Sequence, residues 1–198
     1  MSRIETERLL LRPFRDSDAA DVLEYLSGPL PHCFADLKLD SIDEARAEVL
    51  KRGENTDYCF AIVLKESGRA IGEIEAEPST YVPPMLYSRK KALPPADTFT
   101  PSLILNAAYH GKGFAYEATY ALFDYLFTRK GARRIYTYVD DYNARSQHLC
   151  EKLGLRREGL FREFVSFIDD ANKGTPVYEN TLQYAILKHE WMAKRGTN

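Results

Sequence analysis

Residues 102–140, SLILNAAYHGKGFAYEATYALFDYLFTRKGARRIYTYVD, carry the pattern that decides the fold. SLILNAA (102–108) is a short apolar run and reads as a buried strand. From Gly113 to Lys130 the apolar residues Phe114, Ala118, Leu122, Tyr125 and Leu126 recur every three or four positions, which predicts a helix closed by Gly131. RRIYTYVD (133–140), rich in aromatic and β-branched residues, reads as the next strand. If both strands share a sheet, such a unit requires a parallel, right-handed crossover.

Outward from this unit the pattern turns antiparallel. YCFAIVLKESGRAIGEIEAE (58–77) holds two β-rich runs about a KESG turn and predicts a hairpin. ERLLLRPF (7–14) reads as a strand near the sheet edge. In DSDAADVLEYLSG, Asp16 or Ser17 can cap a helix that buries Ala19, Val22, Leu23 and Leu26. SIDEARAEVLKRG (41–53) is a second helix, with a Ser41, Glu44 capping box at its start and Gly53 at its end. On the C-terminal side, NARSQHLCEKLGL (143–155) is a helix capped by Asn143 and stopped by Gly154. LFREFVSF and YENTLQYAILK, about an ANKGTP turn, form a final antiparallel pair. The expected class is α+β: a mixed, mostly antiparallel sheet with one central parallel pair, flanked by about four helices.

With 198 residues, 44% of them hydrophobic, the chain fits one domain, with a core over about residues 5–188. Six of the ten prolines fall in 78–101, and a stretch so poor in N–H donors reads as a long loop or arm rather than a ladder. Such an arm makes a homodimer a candidate assembly. A net charge of -2 argues against a nucleic-acid surface. The clusters SRKK (88–91) and RKGARR (129–134) read as solvated faces. The chain holds no run of 18 apolar residues and opens MSRIETERLLLRPFRD, so a cytoplasmic protein without a membrane span is expected. Cys33, Cys59 and Cys150 are unpatterned and read as buried apolar side chains. The four histidines lack HExxH spacing, so no metal is expected.

His110, Gly111, Lys112 and Gly113 stand directly before the central helix. The first backbone N–H groups of a helix have no partners, and the helix dipole adds partial positive charge there. Two glycines let that backbone approach an anion, most simply a phosphate. No GxxxxGK[ST] string occurs, and in a dinucleotide fingerprint begun at Gly111 the last place is Tyr116, too bulky for close packing.

The loop resembles the [RQ]xxGx[GA] acyl-CoA signature of the GNAT N-acetyltransferase superfamily, with His110 in the first place. TERLLLRPF, YHGKGFAYEA and NARSQHLCEKLGLRREG, in that order, resemble its ribosomal-protein N-terminal (RimJ/RimL-like) branch. The resemblance implies a splayed parallel strand pair. The acyl-pantetheine arm of acetyl-CoA would then lie on backbone at Leu105, Asn106 and Ala107, and the pyrophosphate on His110, Gly111, Lys112, Gly113, Phe114 and Ala115.

It further implies direct attack of an amine on the thioester. A protein α-amine, with an ordinary pKa near 8, needs less help from a base than a lysine near 10.4. Many members carry a tyrosine acid in YEKLGF; this chain has CEKLGL, with Cys150 in that place. In the branch, Asn143 is expected to contact CoA and Ser146 to protonate the leaving thiolate. Ser146 and Cys150 share a helix face, so Cys150 is the alternative acid. For the base, IGEIEAE puts Glu73, Glu75 and Glu77 on one strand face, and Glu73 or Glu75 can draw a proton through water. The acceptor is a protein N-terminus or a small-molecule amine, with Tyr138 and the arm as candidate lining. The competing functions are a non-catalytic acyl-CoA-binding module of the same fold and a nucleotide-binding domain.

Overall fold

A computed structural model describes residues 2–30, 32–79, 96–168 and 174–195, although of residues 32, 33, 167 and 168 only the backbone. Its strands are β1 (Ile4–Glu5), β2 (Leu9–Arg12), β3 (Cys59–Leu64), β4 (Ala70–Ser79), β5 (Thr98–Leu105), β6 (Arg134–Asp140), β7 (Arg156–Ile168) and β8 (Pro176–Leu187). The α-helices are α1 (Ala19–Leu26), α2 (Ile42–Glu54), α3 (Phe114–Arg129), α4 (Ala144–Leu153) and α5 (Lys188–Arg195). The eight strands run in the order β1-β2-β3-β4-β5-β6-β8-β7, antiparallel apart from the pair β5 and β6. This is the mixed sheet with a central parallel pair that the sequence predicts.

By its contacts the chain divides into two compact units, Met1–Glu77 with Pro101–Arg129 and Pro78–Thr100 with Lys130–Asn198. In the first, α1 and α2 cover β2, β3 and β4 with a core that includes Val22, Leu26, Ala45, Val49, Ala61 and Val63. Each Val or Leu buried this way stabilises the fold by roughly 1.5–3 kcal/mol. Where α1 meets β2, Arg12 forks onto Asp18 with two bonds of 2.7 Å, and Asp18 also accepts the backbone N–H of Arg15 at 2.8 Å. Asp18, not Asp16 or Ser17, therefore organises the start of this helix, because the buried guanidinium selects the carboxylate that it can reach. Leu23 is only half buried, and Tyr25 takes the core place instead. Ser41 caps α2 through the N–H of Glu44 at 3.3 Å, while Glu44 reaches back one residue further than expected, to the N–H of Asp40 at 2.8 Å. α2 ends at Glu54, one residue after the Gly53 expected at its end.

The second unit is built on β8, which pairs with β6 over seven positions and with β7 on its other side. Gly154 adopts the left-handed conformation (φ 87°) and ends α4, whose cap packs against Lys194 of α5. The sequence pattern missed α5: its one large apolar anchor, Trp191, is 1% exposed and too little to announce a helix. Among the described residues the α-helices therefore number five, against the about four expected.

β5 also departs from expectation. It begins at Thr98 and ends at Leu105, so it contains Pro101, and β4 runs on through Pro78 to Ser79. The parallel ladder pairs Thr98 with Arg134 and Phe99 with Ile135, and Pro101 comes after it, where a residue without an N–H breaks no bond to β6. Most of the proline-rich arm (80–95), with its SRKK cluster, lies outside the described residues. In RKGARR, Arg129 and Arg133 are exposed, as a solvated face requires; Arg133 pairs there with Asp97, and the half-buried Arg134 with Glu158. No helix among the described residues is long and apolar enough to cross a membrane.

Candidate active site

In the first unit β5 delivers the chain to the glycine loop. Asn106 leaves the strand with its N–H on the carbonyl of Ile71 (2.9 Å), and its side-chain oxygen accepts the N–H of Ala108 (3.0 Å), winding Ala107–Tyr109 into a single 3-10 turn. Of the three backbone positions expected to hold the pantetheine arm, Leu105 is in the strand, whereas Asn106 and Ala107 are already in the turn. His110 folds back and places Nε2 2.8 Å from the carbonyl of Leu105. A carbonyl only accepts, so this ring nitrogen carries the proton. Gly111 (φ 74°) and Gly113 (φ 83°) then turn the exposed chain into α3 in a conformation that an L side chain rarely adopts. Lys112 is exposed, with Nζ 5.2 Å from the ring centre of Tyr109. The N–H groups that open α3 can hold an anion with the charge and shape of a diphosphate.

The loop is braced by residues that the sequence pattern did not single out. Glu117, in the first turn of α3, accepts the Thr6 hydroxyl (2.6 Å), the Arg8 N–H (2.9 Å) and the Arg8 Nε (2.7 Å). Arg8 also donates to the Lys112 carbonyl at 3.0 Å and lies over the Phe114 ring at 4.4 Å.

Beside β5, the close approach of β4 depends on Gly72, where a Cβ would fall 2.3 Å from the Ile104 carbonyl oxygen. The next residue, Glu73, accepts the Tyr25 hydroxyl (2.7 Å) and is paired with Arg52 at 3.1 Å. Burial raises its carboxyl above the usual range, and the Arg52 guanidinium only partly offsets this. Both Glu73 oxygens are thus engaged. Glu75 is exposed and accepts the Ser102 hydroxyl at 3.0 Å. Asn106 donates to Glu24 (2.8 Å), whose carboxyl is held below its usual range first by Arg69 and then by Asn106.

The second unit carries the remaining candidates. Asn143 caps α4 by accepting the N–H of Ser146 at 3.1 Å. Ser146 is half buried, in the first turn. Cys150, one turn on, is 6% exposed, and burial pushes its thiol up to about 12. Tyr138 joins an aromatic cluster with Tyr136, Phe161 and Phe164, and receives a hydrogen bond from Gln183 at 3.3 Å. A bulge between Phe161 and Val165, with Glu163 at φ 49° and its N–H on Asn180 (3.0 Å), sets the two phenylalanines.

A family model described as an acetyltransferase (GNAT) domain matches residues 8–156. The chain belongs to the GNAT acetyltransferase family. This acetyltransferase is 29% identical over 189 residues to the N-acetyltransferase YnaD of Bacillus subtilis, covering 95% of this chain and 98% of that one. Over 96 residues, 48% of this chain and 47% of the relative, it is 33% identical to spermidine N(1)-acetyltransferase of Escherichia coli K12. A crystal structure of a GNAT-family acetyltransferase from Bacillus anthracis superposes with a TM-score of 0.74 at 26% identity, covering 96% of this chain and all of the other. The protein is an N-acetyltransferase, and its family uses acetyl-CoA as cosubstrate.

Proposed function

We propose that this acetyltransferase binds acetyl-CoA with its diphosphate on residues 110–115 and transfers the acetyl group to a primary amine by direct attack. The observation that carries the reading is the glycine loop: two left-handed glycines and an exposed lysine at the head of a 16-residue helix. Acetyl-CoA supplies the acyl group as a thioester. The amine must be neutral to attack; a C–N bond forms, the C–S bond breaks, the amine's surplus proton leaves to water and the thiolate takes up a proton.

Ser146 is the proposed donor to the thiolate, with Asn143 fixing its helix turn. Cys150 is set aside because its buried thiol has little access to any substrate. Glu75 is the proposed acceptor of the amine proton, through water, since Glu73 is engaged by Tyr25 and Arg52. The acceptor is a small polyamine or a protein N-terminus. The spermidine-acetylating relative supports the first, and the resemblance of three motifs to the RimJ/RimL-like branch supports the second. One catalytic domain over the whole chain is supported by a family match over residues 8–156, which takes in part of each unit, and by a relative that aligns with 95% of the chain.

The test begins with thermal shifts in CoA, acetyl-CoA, NAD and ATP. Ligand at a hundredfold its Kd adds about 2.7 kcal/mol of stability. A rise with the CoA pair alone is expected, followed by CoA release from acetyl-CoA in the presence of spermidine or of peptides with free N-termini. Ser146→Ala should then lower kcat by about 10²-fold. Stabilisation by CoA with no turnover on any amine identifies a binding module instead, and stabilisation by NAD or ATP alone overturns the reading.

A further inference from the structure

We propose that Arg8 is a positioning residue for the cofactor loop, a clamp that holds residues 112–117 in the shape that receives the diphosphate; this rests on the functional reading above. One guanidinium makes every contact needed. Nε and Nη2 hold Glu117 Oε2 at 2.7 and 2.6 Å, Nη1 holds the Lys112 carbonyl at 3.0 Å, and the plane lies over Phe114 at 4.4 Å. Nη2 also sits where a Cβ on Gly113 would come within 3.4 Å. The two ends of the loop, Lys112 before the turn into α3 and Glu117 within it, are therefore tied to one rigid planar group.

Glu117 is seated from the other side by Thr6 and by the N–H of Arg8, and its side chain is only 17% exposed. A carboxylate in the first turn of a helix would by itself compete with an anion for the same N–H groups. Here its oxygens are turned onto Thr6 and Arg8 instead, and the Arg8 cation neutralises it. The clamp thus does two things: it fixes the loop and it keeps the Glu117 charge off the anion's seat.

The test uses the full chain with Arg8→Lys and Arg8→Ala, the first being the milder change. Lysine keeps the charge but cannot fork between Glu117 and the Lys112 carbonyl. Two quantities are read: amide hydrogen exchange at Glu117 and Ala118, the first amides of α3 with partners in the helix, without ligand, and the Kd for CoA by calorimetry. If losing the clamp leaves the loop correctly ordered for a tenth to a hundredth of the time, CoA binds about 10- to 100-fold more weakly. Both variants should show that loss together with faster exchange at Glu117 and Ala118, while exchange in the rest of α3 is unchanged. Weaker binding with unchanged exchange would make Arg8 a direct ligand and overturn the clamp. Faster exchange with an unchanged Kd, or full retention of both by Arg8→Lys, overturns it as well. Failure of the unmodified chain to bind CoA defeats the functional reading itself and removes the clamp's ligand with it.

Discussion

Thr181 is 2% exposed, and its hydroxyl has no hydrogen-bond partner among the described residues. A buried hydroxyl in that position costs the desolvation of a polar group with nothing returned. Thr181→Val keeps the branched shape and should stabilise the protein by about 1 kcal/mol, read as a higher urea midpoint at constant slope. A lower midpoint would mean that the hydroxyl has a partner after all. The cysteines give a second check on burial. Cys59 and Cys150 both have thiols pushed up to about 12 by burial, so at pH 8 only on the order of one part in 10⁴ is thiolate. Neither should react with a disulfide reagent in the native state, and both should in urea, as read by peptide mapping. Native labelling of Cys150 at the rate of a free thiol would return it to the list of acids. The cap Asn143 and the glycine loop were readable from sequence because each acts on residues within a few positions. Arg8, Thr6 and Glu117 were not, because what they do appears only when chain segments more than a hundred residues apart meet.

At the scale of elements, the position that decides the approach of β4 to β5 is Gly72. A methyl group there would meet the Ile104 carbonyl oxygen at 2.3 Å and the Leu105 Cα at 2.9 Å, and backbone atoms cannot rotate away. Gly72→Ala should cost at least about 1–3 kcal/mol and displace the end of β5 that leads into the loop, so CoA affinity should fall with stability. Gly28→Ala, with nothing within 4 Å, is the control and should change stability by less than about 0.5 kcal/mol. Equal effects from the two would remove the steric argument. The crossover through α3 was plain because apolar spacing records a helix directly. The ends of β5 were not: prolines signal the absence of a ladder bond, and the position of Pro101 beyond the two-register ladder with β6 depends on pairing that no local pattern contains. For α5, one buried tryptophan gives no periodicity to read.

For the whole molecule, the carboxylates set the response to acid. Glu24 is held down by Arg69, Asp97 by Arg133, Glu158 by Arg134 and Glu190 by the N–H of Leu187. In Glu117 burial pulls upward, but the bonds from Thr6 and Arg8 outweigh it. Each of these groups binds its proton more weakly when folded than when unfolded. Their contribution is therefore present at neutral pH and is lost as pH falls below the ordinary glutamate value of 4.5 toward the lower folded values. Glu73, raised by burial, runs the other way. Urea midpoints should stay level from pH 7 to 5 and drop between pH 4.5 and 3, with a shallower drop in Glu117→Gln. A midpoint that rises on acidification would show the buried Glu73 to dominate.

The tie between Arg8 and Glu117 spans 109 positions, and a growing chain is made from its N-terminus. At about 5–20 residues per second, Arg8 is joined to the chain roughly 5–20 s before its partner is. During that interval the turn between β1 and β2 has no loop to brace, and the loop, once made, has to find a turn synthesised long before it. The loop is therefore completed only when the chain returns to a segment made 109 residues before Glu117.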